Sequence, residues 1–320
     1  GFSYEVKEVQ APEGYVRNTE DVYSFTFSYT NDQEASVTFT HTFANERVRA
    51  TITLQKKDKE TNQALPQGDA ALEKAVYGLY AREDIVHPDG KTGVLYRAGE
   101  RVGTLTTDEK GQASIENLYL GSYYVKEITP PVGYLADETE HDLVCSYEGD
   151  LTATVKRECV SMEQVKKQPF QLIKAANNGE TDADLLSGAG FTAYLVSSLK
   201  TKEDGSYDFD SAEPVVIGEN GATEIFTDGK GYACSIPLPY GTYIVRETTT
   251  PHNYKPVDDF IVRITEHKPD TPQVWRVLLD EEFEAKLKII KQDDETKKPV
   301  LYKGTEFRIY DLDNKEYVEQ

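Results

Sequence analysis

Cysteine is scarce in this sequence. Its 320 residues hold three, Cys145, Cys159 and Cys234, with no close pair of the kind that grips zinc and no even-numbered disulfide framework. Cys145 and Cys159 lie near enough in sequence to bridge, but small buried thiols are common and both are expected to stay free. Methionine and tryptophan occur once each. No run is apolar enough to span a bilayer, and no basic segment followed by an apolar stretch marks a signal peptide, so membrane insertion of this segment is not expected. Basic charge is short too: 35 Lys and Arg stand against 56 Asp and Glu, a net charge of −21 that repels phosphate backbones and excludes nucleic acid as a partner. The five histidines are scattered without metal-ligand spacing. The acidic run from Asp204 to Asp210 lacks the Gly and Glu positions of an EF-hand and reads as a solvated loop. No metal or cofactor is expected. With no Ser-His-Asp, zinc or nucleotide motif, neither is a turnover enzyme.

What is abundant is Tyr, Phe, Val and Thr in short alternating runs, the pattern of an all-β chain. The runs repeat. Tyr-x-Val-(Lys/Arg)-Glu-x-x-x-Pro-x-x-Tyr appears as YEVKEVQAPEGY, YYVKEITPPVGY and YIVRETTTPHNY, with glutamates Glu8, Glu127 and Glu247 spaced 119 and 120 residues apart. An alternating strand running into a lysine recurs at Lys56, Lys174 and Lys291, each followed by an aromatic strand beginning at Tyr77, Phe191 and Phe307. A polar turn, TDEKG from Thr107 and TDGKG from Thr227, supplies a third repeat with Asp and Gly turn chemistry. These periods divide the chain into the end of one module (1–48), two complete modules (49–165 and 166–284) and the start of a fourth (285–320), joined without Pro/Ser-rich linkers. Both ends of the sequence fall inside a strand pattern, as in a window cut from a longer protein. Short strands with regular turn signals predict tandem β-sandwiches, with one helical insert from Asp69 to Ala75.

Strand side chains alternate between faces. Ile52, Leu54 and Lys56 therefore share a face, as do Phe170, Leu172 and Lys174, and Leu287, Ile289 and Lys291. The same count groups Tyr4, Val6 and Glu8, and likewise Tyr123, Val125 and Glu127, then Tyr243, Val245 and Glu247. An inward lysine thus recurs beside an inward glutamate. A lone buried charge costs several kcal/mol, so such groups pair, neutralise or react. Burial lowers a lysine's pKa from about 10.4 and raises a glutamate's from about 4.3, which favours a neutral amine and a protonated acid. A carbonyl partner is offered just upstream of the next lysine. Asn45 shares a face with Val37, Phe39 and Phe43 and lies 11 positions before Lys56; Asp280 shares one with Val274 and Leu278 and lies 11 before Lys291.

These motifs resemble those of Gram-positive surface-protein and pilin repeats of the collagen-adhesin B type (Cna B-type, SpaA-like). The resemblance spans nearly the whole chain. It implies a prealbumin-like or reversed immunoglobulin-like β-sandwich in which a first-strand Lys joins a last-strand Asn or Asp through an amide, promoted by the Glu. Carried over, the third module has all three parts, Lys174, Glu247 and Asp280. The first has Glu8 and Asn45, and the fourth has Lys291. The second has Lys56 and Glu127 but Glu163 at the acceptor position, whose extra methylene is expected to set the carbonyl off line and leave the module unlinked. The implied function is a cell-surface, wall-attached stalk made of tandem modules of one chain, with host matrix or glycan bound through other domains. The alternative is a host-protein or glycan binding module, for which Leu199 to Thr223 is the best candidate segment.

Overall fold

The computed structural model describes residues 1–29, 36–177, 184–283, 286–313 and 315–318. The chain divides into two compact units, Gly1–Glu281 and Glu282–Gln320. The expected boundary at 284/285 lies outside the described residues.

The larger unit opens with an antiparallel pair, β1 (Phe2–Lys7) and β2 (Val22–Phe27). The second module follows with β3 (Arg49–Asp58), β4 (Val76–Ala81), β5 (Ile85–Val86), β6 (Val94–Tyr96), β7 (Arg101–Thr106), β8 (Gln112–Leu118), β9 (Gly121–Thr129), β10 (His141–Cys145) and β11 (Thr154–Glu163). Its two main sheets have the orders β10-β9-β4-β7 and β11-β3-β8. After the short β12 (Lys167–Gln168), the third module repeats the plan with β13 (Gln171–Ala176), β14 (Gly190–Leu195), β15 (Glu224–Phe226), β16 (Tyr232–Cys234), β17 (Leu238–Pro239), β18 (Gly241–Thr249), β19 (Phe260–Ile264) and β20 (Arg276–Asp280). Its main sheets run β15-β14-β18-β19 and β16-β13-β20. The smaller unit contributes β21 (Tyr310–Asp311) and β22 (Glu316–Tyr317).

Alternation sets the cores. β3 buries Ala50, Ile52 and Leu54 and then, on the same face, Lys56 and Asp58. β13 buries Leu172 and Lys174. In each complete module the first and last strands pair in parallel, β3 with β11 and β13 with β20. A parallel pair needs a long connection, and here the whole module intervenes. Cys145 and Cys159 are buried in the second module's core and remain free, with burial pushing the Cys159 thiol up to about 12.

Two expectations are corrected. Asp69 to Ala75 is a run of turns, not a helix. Gly68 and Lys74 take φ of 60° and 63°, outside the right-handed helix, and the amides of Asp69, Ala71 and Lys74 donate to the carbonyls of Tyr240, Val132 and Thr107 instead of to a preceding turn. Among the described residues no α-helix occurs, and no helix is long and apolar enough to cross a membrane. The first module's face of Tyr4, Val6, Val37 and Phe39 is exposed: among the described residues the two-stranded β1–β2 sheet is the only one there, and residues 36–46 form no strand.

Candidate functional site

Each complete module buries one lysine between two carboxyl side chains. In the third, Lys174 on β13 donates to Glu247 Oε2 on β18 at 2.7 Å and is ion-paired with Asp280 Oδ1 at the end of β20. All three side chains are 0% exposed. The register explains the meeting: Lys174 pairs with Leu278 across the parallel ladder, so Asp280, two residues on, returns to the same face. Glu247 Oε2 is fixed from behind by the Val257 amide at 2.9 Å. Glu247 Oε1 and Asp280 Oδ2 have no hydrogen-bond partner among the described residues, so the carboxyl groups are incompletely solvated. Burial, with Glu247 adding to it, raises Asp280's pKa despite the opposing pull of Lys174. The walls are apolar: Phe191, Val257, Phe260 and Leu278 belong to the core around the site, and Lys174 Nζ lies 5.7 Å from the Phe191 ring centroid.

The second module builds the same geometry with different walls. Lys56 Nζ is ion-paired with Glu163 Oε1 and, at 3.3 Å, with Glu127 Oε1. Lys56 pairs with Ser161, and Glu163 lies two residues on, the same register as Leu278 and Asp280. Glu163 therefore reaches the lysine, contrary to the expectation that its longer side chain would point off line. Burial, opposed by Glu127, lowers Lys56's pKa to about 8. The Tyr77 hydroxyl accepts from Lys56 Nζ at 3.2 Å and donates to Glu163 Oε1 at 2.7 Å. Glu127 Oε2 accepts from the Asp137 amide at 2.8 Å.

In the first module Asn45 Nδ2 donates to Glu8 Oε2 at 2.7 Å, and the Asn18 amide donates to the same oxygen at 2.9 Å. Glu8 and Asn45 are thus brought together. Every repeat glutamate accepts the amide ten residues downstream. Lys291 is a correction: with Leu287 and Ile289 it is exposed, and it donates to Thr305 Oγ1 at 3.0 Å. The described residues of the small unit supply only the two-residue pair β21–β22, so no sheet covers that face.

The repeated Pro and Tyr close a turn: the amides of Tyr15, Tyr134 and Tyr254 donate to Pro12, Pro131 and Pro251. The TDxKG turn matters more than its sequence suggests. The Gly111 carbonyl accepts from the Lys56 amide at 2.8 Å, and the Gly231 carbonyl from that of Lys174 at 2.7 Å, so this turn holds each lysine's backbone. Within Leu199 to Thr223, Phe209 stacks edge-on with Tyr194 and lies under the Arg246 guanidinium, so its ring packs on the module instead of projecting from it. Tyr77 was missed as a site residue. Its signal is the hydroxyl that distinguishes it from Phe191 at the same repeat position. Among the described residues no His/Cys/Asp/Glu group has the arrangement to hold a metal.

A family model for the SpaA prealbumin-like fold domain matches residues 50–158 and again 169–275. No curated protein sequence matches the chain. Among solved structures, the chain is similar to the Bacillus anthracis TIE protein, with 22% identity and a TM-score of 0.54 over 87% of this chain and 41% of that one. It therefore spans less than half of that protein's length. Further likenesses are to GBS52, the minor pilin of Streptococcus agalactiae (16% identity, TM-score 0.33, 76% and 100% covered), and the shaft pilin SpaA of Lactobacillus rhamnosus GG (16%, 0.27, 75% and 99%). The two family matches together cover more than half of the sequence, and the chain belongs to the SpaA prealbumin-like fold domain family.

Proposed function

We propose that this chain is a load-bearing spacer of a wall-attached bacterial surface protein, and that its third module locks itself with an amide bond between Lys174 and Asp280. The observation that carries this reading is the fully buried Lys174 amine held against both Asp280 and Glu247 on parallel first and last strands. Proton transfer within the Lys174–Asp280 pair gives a neutral amine and a carboxylic acid. The amine attacks the Asp280 carbonyl carbon, Glu247 passes the amine's proton to the departing hydroxyl, and water leaves. Fixed contact in a dry core supplies the effective concentration that a condensation in water lacks. The bond forms once per molecule, which is not turnover. Glu8 and Asn45 are the corresponding promoter and acceptor of the first module.

Peptide mapping by mass spectrometry tests this. A Lys174–Asp280 crosslinked peptide, one water lighter than its two parts, is expected. Lys174→Ala or Asp280→Ala should abolish it, and Glu247→Ala should leave it largely unmade. Recovery of Lys174 and Asp280 only in linear peptides would reduce the trio to a buried ion pair.

A further inference from the structure

The second module departs from the third at four equivalent positions, three matched by strand register and one by the amide it donates. Tyr77 and Phe191 both face the promoter glutamate across the sheet, paired with Glu127 and Glu247. Asp137 and Val257 both donate their amides to it. His141 and Phe260 pair with Val125 and Val245, and Ser161 and Leu278 with the two lysines. Where the third module is apolar, the second carries a hydrogen-bonded set. Ser161 Oγ lies 3.0 Å from the Tyr77 hydroxyl and donates to Asp137 Oδ2 at 3.3 Å, and Asp137 Oδ2 meets His141 Nε2 at 3.1 Å. The acceptor changes along with the walls, from Asp280 to Glu163.

We infer that Lys56 and Glu163 condense to a side-chain amide, with the Tyr77 hydroxyl as a catalytic hydrogen-bond donor to the acceptor oxygen. This rests on the reading of the third module but concerns a longer acceptor and a different machinery. Tyr77 touches both reacting groups, at 3.2 Å from Lys56 Nζ and 2.7 Å from Glu163 Oε1. When the neutral amine adds to Glu163 Cδ, the charge develops on Oε1, the atom to which Tyr77 donates. Glu127, 3.3 Å from the amine at Oε1, takes its proton and returns it to the hydroxyl that departs as water. An amine and a carboxylic acid become an amide and one water, with no oxidant or cofactor needed. Burial supports the chemistry: Lys56, Tyr77 and Ser161 are wholly buried, and Glu163 Oε2 has no partner among the described residues. The hydroxyl donor suits a Glu acceptor, whose extra rotatable bond would otherwise leave its carbonyl unfixed.

Intact-mass and peptide analysis of the full chain tests the inference. The expected mass is two waters below the sequence mass, and Asp280→Ala should leave one water missing, carried by a Lys56–Glu163 peptide. Lys56→Arg keeps the positive charge without a nucleophilic amine and should restore that water. Glu163→Gln should give a product of wild-type mass, since the same amide forms with loss of ammonia. Tyr77→Phe puts in the residue the third module already accommodates, so folding should persist while bond formation after refolding slows about 100-fold, the effect of removing one oxyanion donor. A chain one water light, with Lys174–Asp280 linked and Lys56 and Glu163 in linear peptides, overturns this inference and spares the reading it rests on. A chain at full mass overturns both, and a Tyr77→Phe chain that links at the wild-type rate removes Tyr77 from the chemistry.

Discussion

At the scale of single residues, the charges that govern this protein are few and fully enclosed. Lys56 and Lys174 would each be a liability alone, since an unpaired buried ion costs several kcal/mol. Each is answered by two carboxyl groups, an excess of acid over base inside the core. The reactive form in the proposed condensation is a neutral amine facing a protonated acid, which needs one proton held by the pair. For Lys56, faced by Glu127, Glu163, Tyr77 and the nearby Asp137, burial lowers the amine's pKa to about 8 against the opposing pull of Glu127. Once the amine has lost that proton to solvent, the pair has none left to place on the acceptor, and an amine adds to a protonated acid and not to a carboxylate. Formation of the Lys56–Glu163 bond in freshly refolded chain should therefore fall about tenfold per unit above pH 8. Quenching refolding at a series of pH values and weighing the crosslinked peptide measures this, and a rate that keeps climbing to pH 10 would sink the assignment.

At the scale of elements, the polar turn does as much for the site as the strands do. Gly111 and Gly231 adopt φ of 70° and 66°, and a Cβ at Gly231 would stand 2.4 Å from the Lys174 carbonyl. Any other residue there has to push β13 aside. Gly231→Ala is expected to cost about 1–3 kcal/mol in urea unfolding and to lower the crosslinked fraction at Lys174, which displacement of the lysine backbone would cause. An unchanged crosslinked fraction would mean the turn is only a connection. The strand interiors are more ordinary: Leu172→Ala should cost about 2–5 kcal/mol by cavity formation, with its neighbours Phe170 and Phe191 unable to close the gap fully.

Within the larger unit as a whole, the modules are joined by side chains as well as by chain continuity. Asp69, in the segment that forgoes its helix, donates its amide to Tyr240 and accepts from the Thr242 amide at 2.9 Å, while Tyr240 packs with Ala70, Leu72, Tyr134 and Val165. Lys167 pairs with Glu60 across the same joint. Asp69→Ala should speed hydrogen exchange at Thr242 by loosening this contact, a loss of about 1–3 kcal/mol. On the proposed spacer reading, load entering at β13 and leaving at β20 would meet the Lys174–Asp280 pair before the strands between. With that bond made, the 106 residues separating the two are shielded from extension. Lys174→Ala should then add on the order of 350 Å to the length released in single-molecule pulling, at about 3.3–3.6 Å per residue. No added length would place the load elsewhere.

The sequence alone determined the module period, the all-β class and the inward face that carries Lys56, Lys174, Glu127 and Glu247, because strand alternation converts spacing directly into facing. It also supplied Asp280, since a fixed offset from the next lysine marks one structural position. Local pattern misled where its answer depended on distant partners. The Asp69–Ala75 segment has helical composition, but the amides of Asp69, Ala71 and Lys74 find carbonyls on distant segments, that of Asp69 on the next module. The lysine face at Leu287, Ile289 and Lys291 alternates correctly yet is exposed, with no sheet over it among the described residues. Only the tertiary structure decided that Glu163 reaches Lys56, because the outcome depends on the parallel register of β3 with β11 and on where Tyr77 holds the carboxyl group. A residue's type fixes its reach, but the strand opposite fixes what stands at the end of it.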